Sequence, residues 1–140
     1  MIVDCSVILG AFFPDENQRT AQAVLRDHIL GRVKLKAPNL LQYEVSNAVW
    51  QAERRGWIAP DQTDEIIAAI AGLQIEIHPL EWGEMLPLAR QFDRSAYDSA
   101  YLTLAQKLEE KLITADERLY NAVRSSLEWV IPLEDYSIQS

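Results

Sequence analysis

Ile2-Val3-Asp4-Cys5-Ser6-Val7-Ile8-Leu9 is the stretch that decides the fold class. Two β-branched residues end on an acid, and a hydroxyl residue placed to cap a helix follows within two positions. A strand thus gives way directly to a helix that must stop before Pro14. The same alternation recurs along the chain. Strand-like runs occur near Ile2 to Asp4, Lys34 to Ala37, Gln74 to His78, Lys111 to Thr114 and Glu128 to Ile131. Helical periodicity fills the spaces: about Asn17 to Leu30 ended by Gly31, Pro38-Asn39 to Arg55 closed by Gly56, and Pro60 to Gly72. Further helices are expected near Trp82 to Phe92, Tyr97 to Glu110 and Asp116 to Val123. Strands alternating with helices over short connections predict an α/β fold with a mainly parallel central sheet flanked by helices. At 140 residues and 49% hydrophobic composition, one domain over residues 1–140 is expected.

The net charge of −8, with 13 basic against 21 acidic residues, argues against loose charge-driven binding to duplex DNA or anionic membrane. A nucleic-acid substrate stays open, because carboxylates committed to a metal would halve that charge. No apolar run reaches membrane-spanning length and no basic leader precedes Ile2, so a soluble cytoplasmic protein is expected. Cys5 is the one cysteine, which excludes an internal disulfide and a cysteine-based zinc site. With no histidine near it in sequence, it reads as a small buried residue rather than a nucleophile. His28 and His78 match no zinc spacing, no G-x-S-x-G elbow occurs, and the five glycines are too scattered to cradle a phosphate.

Four acids stand where a strand ends or a helix has barely begun: Asp4, Glu44, Asp98 and Asp116. In an open α/β sheet these junctions converge on one edge. Clustered carboxylates repel unless a cation sits among them, so a hard divalent metal and metal-dependent chemistry on phosphates are the leading expectation. Each acid also has a plain structural reading. Asp4 fits an Asx turn, Asp98 completes a capping box with Ser95, and Asp116 fits a helix N-cap. Glu44 lies on the shoulder of the apolar stripe Leu41, Val45, Ala48, Val49 and Ala52, where a surface glutamate packing its stem on the core is equally natural. Asn47, one turn on, is placed to orient Glu44 or a metal-bound water. Coincidence favours the functional reading, since four elements present an acid at the same edge and capping must be invoked separately for each.

Four pieces in order carry a resemblance: D-C-S-V-I-L from Asp4 to Leu9, E-V-S-N from Glu44 to Asn47, Y-D-S-A-Y-L-T-L-A from Tyr97 to Ala105, and T-A-D-E-R-L from Thr114 to Leu119. The chain resembles PIN-domain ribonucleases, specifically the VapC-like toxins of bacterial and archaeal toxin–antitoxin pairs. The resemblance implies a parallel sheet of about five strands in the order 3-2-1-4-5, with the acids gathered at its carboxyl edge. It also implies endonucleolytic RNA cleavage dependent on Mg²⁺ or Mn²⁺. Asp4, Glu44, Asp98 and Asp116 carry over as metal-site acids, and Ser6, Asn47 and Thr114 as supporting polar groups. A cognate antitoxin and a homodimer are implied as partners.

Arg118 lies close enough to Asp116 in sequence to reach a substrate phosphate, whereas Arg54 and Arg55 suit a helix C-terminal dipole. Val7, Ile8, Leu9, Phe12 and Phe13 exceed what one face of a short helix buries. Their excess is either ordinary core or a groove for a partner helix. Two other readings compete. A non-catalytic PIN-like binding module would keep the acids without activity. A phosphoacceptor signalling domain is disfavoured, because Cys5 and Ser6 stand where its second acid would follow Asp4.

Overall fold

The computed structural model describes residues 1–137. Five strands form one sheet in the order β3-β2-β1-β4-β5: β1 (Ile2–Val3), β2 (Lys36–Pro38), β3 (Glu76–His78), β4 (Leu112–Thr114) and β5 (Val130–Pro132). Every neighbouring pair is parallel, as the 3-2-1-4-5 expectation requires. Seven helices connect them: α1 (Cys5–Phe12), α2 (Gln18–Ile29), α3 (Leu40–Arg54), α4 (Pro60–Gly72), α5 (Leu86–Phe92), α6 (Ala96–Leu108) and α7 (Glu117–Val123). A 3-10 turn at Leu133–Asp135 follows β5.

The strands are short because each supplies only what the two-faced core needs. Ile2 and Val3 are both fully buried, yet they point to opposite faces, as successive strand residues must. Val3 and Ile113 join a core built from α1, α2 and α3, with Val7, Ile8, Val24, Leu35, Leu41, Val45 and Val49. Ile2 and Leu112 join the opposite core, with Tyr101, Leu102, Leu104, Leu119, Val123 and Val130. Each fully buried aliphatic side chain contributes about 1.5–3 kcal/mol, so the sheet interior carries the stability and leaves its edge for chemistry. Val7 and Ile8 are buried, while Leu9, Phe12 and Phe13 pack partly buried against the first core. Most of the apolar excess of α1 is therefore ordinary core.

Several boundaries differ from the sequence reading. Asp4, not Ser6, is the N-cap of α1, accepting from the Val7 amide. Pro38 closes β2 instead of opening α3, consistent with the extended conformation proline enforces on its predecessor. Residues 82–85 form turns, and the helix expected from Trp82 begins at Leu86, with Pro in its first turn. β5 starts two residues later than expected, because 128–129 turn. Gly31 and Gly56 both adopt φ +76 just past α2 and α3, the left-handed stop that glycine allows without strain. His28 is structural: Nδ1 accepts from the Leu35 amide at 3.0 Å and Nε2 donates to the Leu73 carbonyl at 2.6 Å.

Candidate active site

Asp4 leaves β1 in an extended conformation and is 5% exposed. Ser6 Oγ donates to its Oδ1 at 2.5 Å, and Thr114 Oγ1 donates to its Oδ2. Each hydroxyl also accepts: Ser6 from the Ala115 amide at 2.8 Å, Thr114 from the Asp116 amide at 3.0 Å. Two side chains thereby weld the β1–α1 junction to the β4–α7 junction, 110 residues apart in sequence. Burial pushes the Asp4 carboxyl up to about 6. The bonds from Ser6, Thr114 and Val7 oppose that push, and the Asp116 charge adds to it.

Asp116 is the N-cap of α7, and its Oδ1 accepts from the Arg118 and Leu119 amides at 3.0 and 3.2 Å. The capping reading holds, but it uses one oxygen. No hydrogen bond among the described residues reaches Oδ2.

Glu44, on the second turn of α3, is half-buried, and Tyr101 on α6 donates its hydroxyl to Oε1 at 2.5 Å. Burial raises the Glu44 carboxyl above its ordinary range; the Tyr101 bond lowers it, and the neighbouring Asp98 charge raises it again. Asp98 lies in the first turn of α6, where Ser95 Oγ accepts from its amide at 3.0 Å. Its side chain does not return to Ser95 to complete the box. Arg94 instead places Nη2 and Nε on Oδ2 at 2.9 and 3.2 Å.

The four acids thus group by charge in twos: the Asp116 charge acts on Asp4 and the Asp98 charge on Glu44. Cys5 stands between the pairs: its thiol is pushed up to about 12, first by burial and then by the Glu44 and Asp4 charges, so it is no nucleophile. Among the described residues, no three His, Cys, Asp or Glu side chains stand close enough to hold one ion together.

Three supporting expectations fare differently. Ser6 and Thr114, which the resemblance gave as supporting groups, both donate to Asp4, whereas Asn47 is exposed and makes no hydrogen bond to Glu44 among the described residues. Arg118 is exposed and forms no ion pair there. Arg54 and Arg55 lie over the Trp50 and Trp57 rings at 5.8 and 5.1 Å. Sequence reasoning missed Tyr101 and Arg94. Tyr101 sits one turn after Asp98, and a hydroxyl on an otherwise apolar helix face was the available signal.

A polar cleft of about 570 Å³ opens beside Thr114 and Asp116, lined also by Asn17, Tyr120, Asn121 and Arg124. Asp15, Glu16, Glu117 and Glu134 make its wall strongly acidic. A substrate phosphate entering there would need its charge offset.

The chain is similar to Ribonuclease VapC3 of Pyrobaculum aerophilum, with 27% identity over 123 residues that cover 85% of this chain and 91% of that protein. The crystal structure of PAE2754 from Pyrobaculum aerophilum superposes with a TM-score of 0.73 over 95% of this chain and 83% of that one. At 22% identity this second likeness speaks for the fold alone. Residues 1–124, which include all four acids, match the PIN domain. With that match spanning most of the chain on top of the 3-2-1-4-5 parallel sheet, the chain belongs to the PIN-domain family.

Proposed function

We propose that this chain is a metal-dependent endoribonuclease and the toxin of a toxin–antitoxin pair. One observation carries the reading: carboxylates from four separate elements, each buried or half-buried, lie at strand exits or early helical turns, with burial raising two of them, Asp4 to about 6 and Glu44 in the same direction. Folding has placed charge where burial penalises it, a cost expected at functional sites. The likeness to a protein named as a ribonuclease supports the substrate class.

The donor set fits a hard divalent cation, Mg²⁺ or Mn²⁺, because it offers only carboxylate and hydroxyl oxygens. Asp4 and Asp98 are the proposed core ligands, with Glu44 and Asp116 holding a second ion or the attacking water. Such an ion supplies charge neutralisation at the phosphate and a more acidic bound water. Ser6 and Thr114 hold Asp4 in one orientation, since each spends its single proton on that carboxylate. Asp116 keeps Oδ2 available while Oδ1 caps α7. Arg118, exposed and two residues after Asp116, is the proposed contact for a substrate phosphate. The expected products end in 5′ phosphate and 3′ hydroxyl.

Partners follow the same reading. Among the described residues no helix is long and apolar enough to cross a membrane. Tyr43 and Tyr97 expose large apolar surface at a cleft lined also by Leu40, Leu80 and Met85. That surface supports a homodimer or an antitoxin contact. The cytoplasm is the proposed compartment.

The spacing of the acids favours one rival, a non-catalytic PIN-like module, because every carboxylate already has a protein partner. Purified protein incubated with RNA, with Mg²⁺ or Mn²⁺ and then with excess chelator, separates the two. Metal-dependent cleavage lost in Asp4→Asn is the expected result. Cleavage that survives either chelation or that substitution would overturn the assignment.

A further inference from the structure

Tyr101 is 3% exposed on the inner face of α6, packed in the second core. A phenol oxygen inside a core needs a partner, and phenylalanine would fill the same space without that requirement. Its single hydrogen bond among the described residues goes 57 positions back in sequence, to Glu44 Oε1 on α3. No other hydrogen bond reaches the Glu44 carboxylate there. Both groups are pushed up by burial, and the bond favours the ionised glutamate over the ionised phenol. A glutamate has a long side chain whose rotamer freedom costs on the order of 1.5–2 kcal/mol to fix.

We propose that Tyr101 is a positioning residue for the metal site: by holding Glu44 Oε1, it fixes the carboxylate and leaves Oε2 as the oxygen available to a divalent cation. The inference rests on the nuclease reading of this site. Tyr101 touches neither substrate nor ion, and acts only through Glu44. Because Tyr101 shares α6 with Asp98, the bond also ties Glu44 to the helix that carries Asp98. Outer partners of this kind change metal affinity about 10–100-fold when removed.

Mn²⁺ titration by calorimetry on the full chain tests this, using wild type, Tyr101→Phe, Glu44→Gln and the double variant, alongside thermal unfolding in excess chelator. Tyr101→Phe is expected to stay folded in chelator, with a midpoint lowered by a few degrees at most because half-buried Glu44 can turn to water, yet to bind Mn²⁺ about 10-fold more weakly or worse. Its kcat on RNA should fall with KM unchanged. The double variant should bind no more weakly than Glu44→Gln alone, since the hydroxyl has nothing left to position. Wild-type Mn²⁺ affinity in Tyr101→Phe, with Glu44→Gln weakened, would overturn this inference and leave the nuclease reading standing. Additive losses in the double variant would do the same. A wild type that neither binds Mn²⁺ nor cleaves RNA would remove both.

Discussion

Asp4 shows how far one residue can be read from its surroundings. Its carboxyl is raised from 3.8 to about 6 by burial, so the folded state holds the proton over a range where the unfolded chain has released it. The stability this group contributes is fully present below pH 3.8 and is lost as pH rises through about 6. That difference corresponds to about 3 kcal/mol at neutral pH. In excess chelator, Asp4→Asn should therefore be more stable than wild type at pH 7, by up to ~3 kcal/mol, and should lose the advantage near pH 4. Urea unfolding at the two pH values measures it; an advantage independent of pH would show that ionisation is not the cause. The same variant should cleave no RNA. Thr114→Val tests the other side of this contact. It strips a donor from a buried carboxylate, and should cost about 1.5–3 kcal/mol at pH 7. The acids themselves were legible in the sequence, because their types and positions suffice to suggest a hard-cation site. Tyr101 was not, because it looks like core until α3 and α6 are packed together, and Arg94, although only four residues before Asp98, reads as an ordinary surface charge.

Element ends carry two functions at once, which is why each acid admitted a structural reading. Asp116 caps α7 through Oδ1, and asparagine caps as well as aspartate does. Asp116→Asn should keep stability within about 0.5 kcal/mol while weakening Mn²⁺ binding and cleavage, whereas Asp116→Ala should also lose about 1 kcal/mol. Thermal unfolding beside metal titration distinguishes them; equal cleavage by wild type and Asp116→Asn would reduce Asp116 to a cap. Helix boundaries were legible wherever local chemistry decides them, as at Gly31, Gly56 and Ser95. They were not where tertiary structure decides. Asp4 takes the capping position from Ser6 because Ser6 is drawn to Ala115 and to Asp4 itself. The shift of β5 to Val130 likewise follows its pairing with Leu112, which no local pattern announces.

At the scale of the molecule, alternation of strand-like and helix-like blocks was enough to indicate a parallel sheet, because only crossover helices connect parallel neighbours. Strand order came from the family resemblance rather than from periodicity, since five short apolar runs are nearly interchangeable as patterns. Long-range ties were invisible for the same reason. Asp27 on α2 is 0% exposed, and nothing local explains an acid there. Its partner arrives from the far end of the chain: Tyr136, just past the 3-10 turn, donates to Oδ2 at 2.6 Å. Arg32 reaches only to 3.5 Å of Oδ1, too far to satisfy a buried charge alone. Leu133 inserts into the first core beside this contact, so the segment after β5 is fastened to α2 by one buried side chain and one hydrogen bond. Tyr136→Phe keeps the ring and removes the donor, leaving the Asp27 carboxylate short of its nearest partner. It should cost about 1.5–3 kcal/mol, seen as a lower urea midpoint with an unchanged m-value, because the folded surface stays the same. Asp27→Asn in the Tyr136→Phe background should then restore part of that loss, since a neutral amide tolerates the site better than an ion does. A midpoint that does not move in Tyr136→Phe would show that Leu133 alone secures the tail.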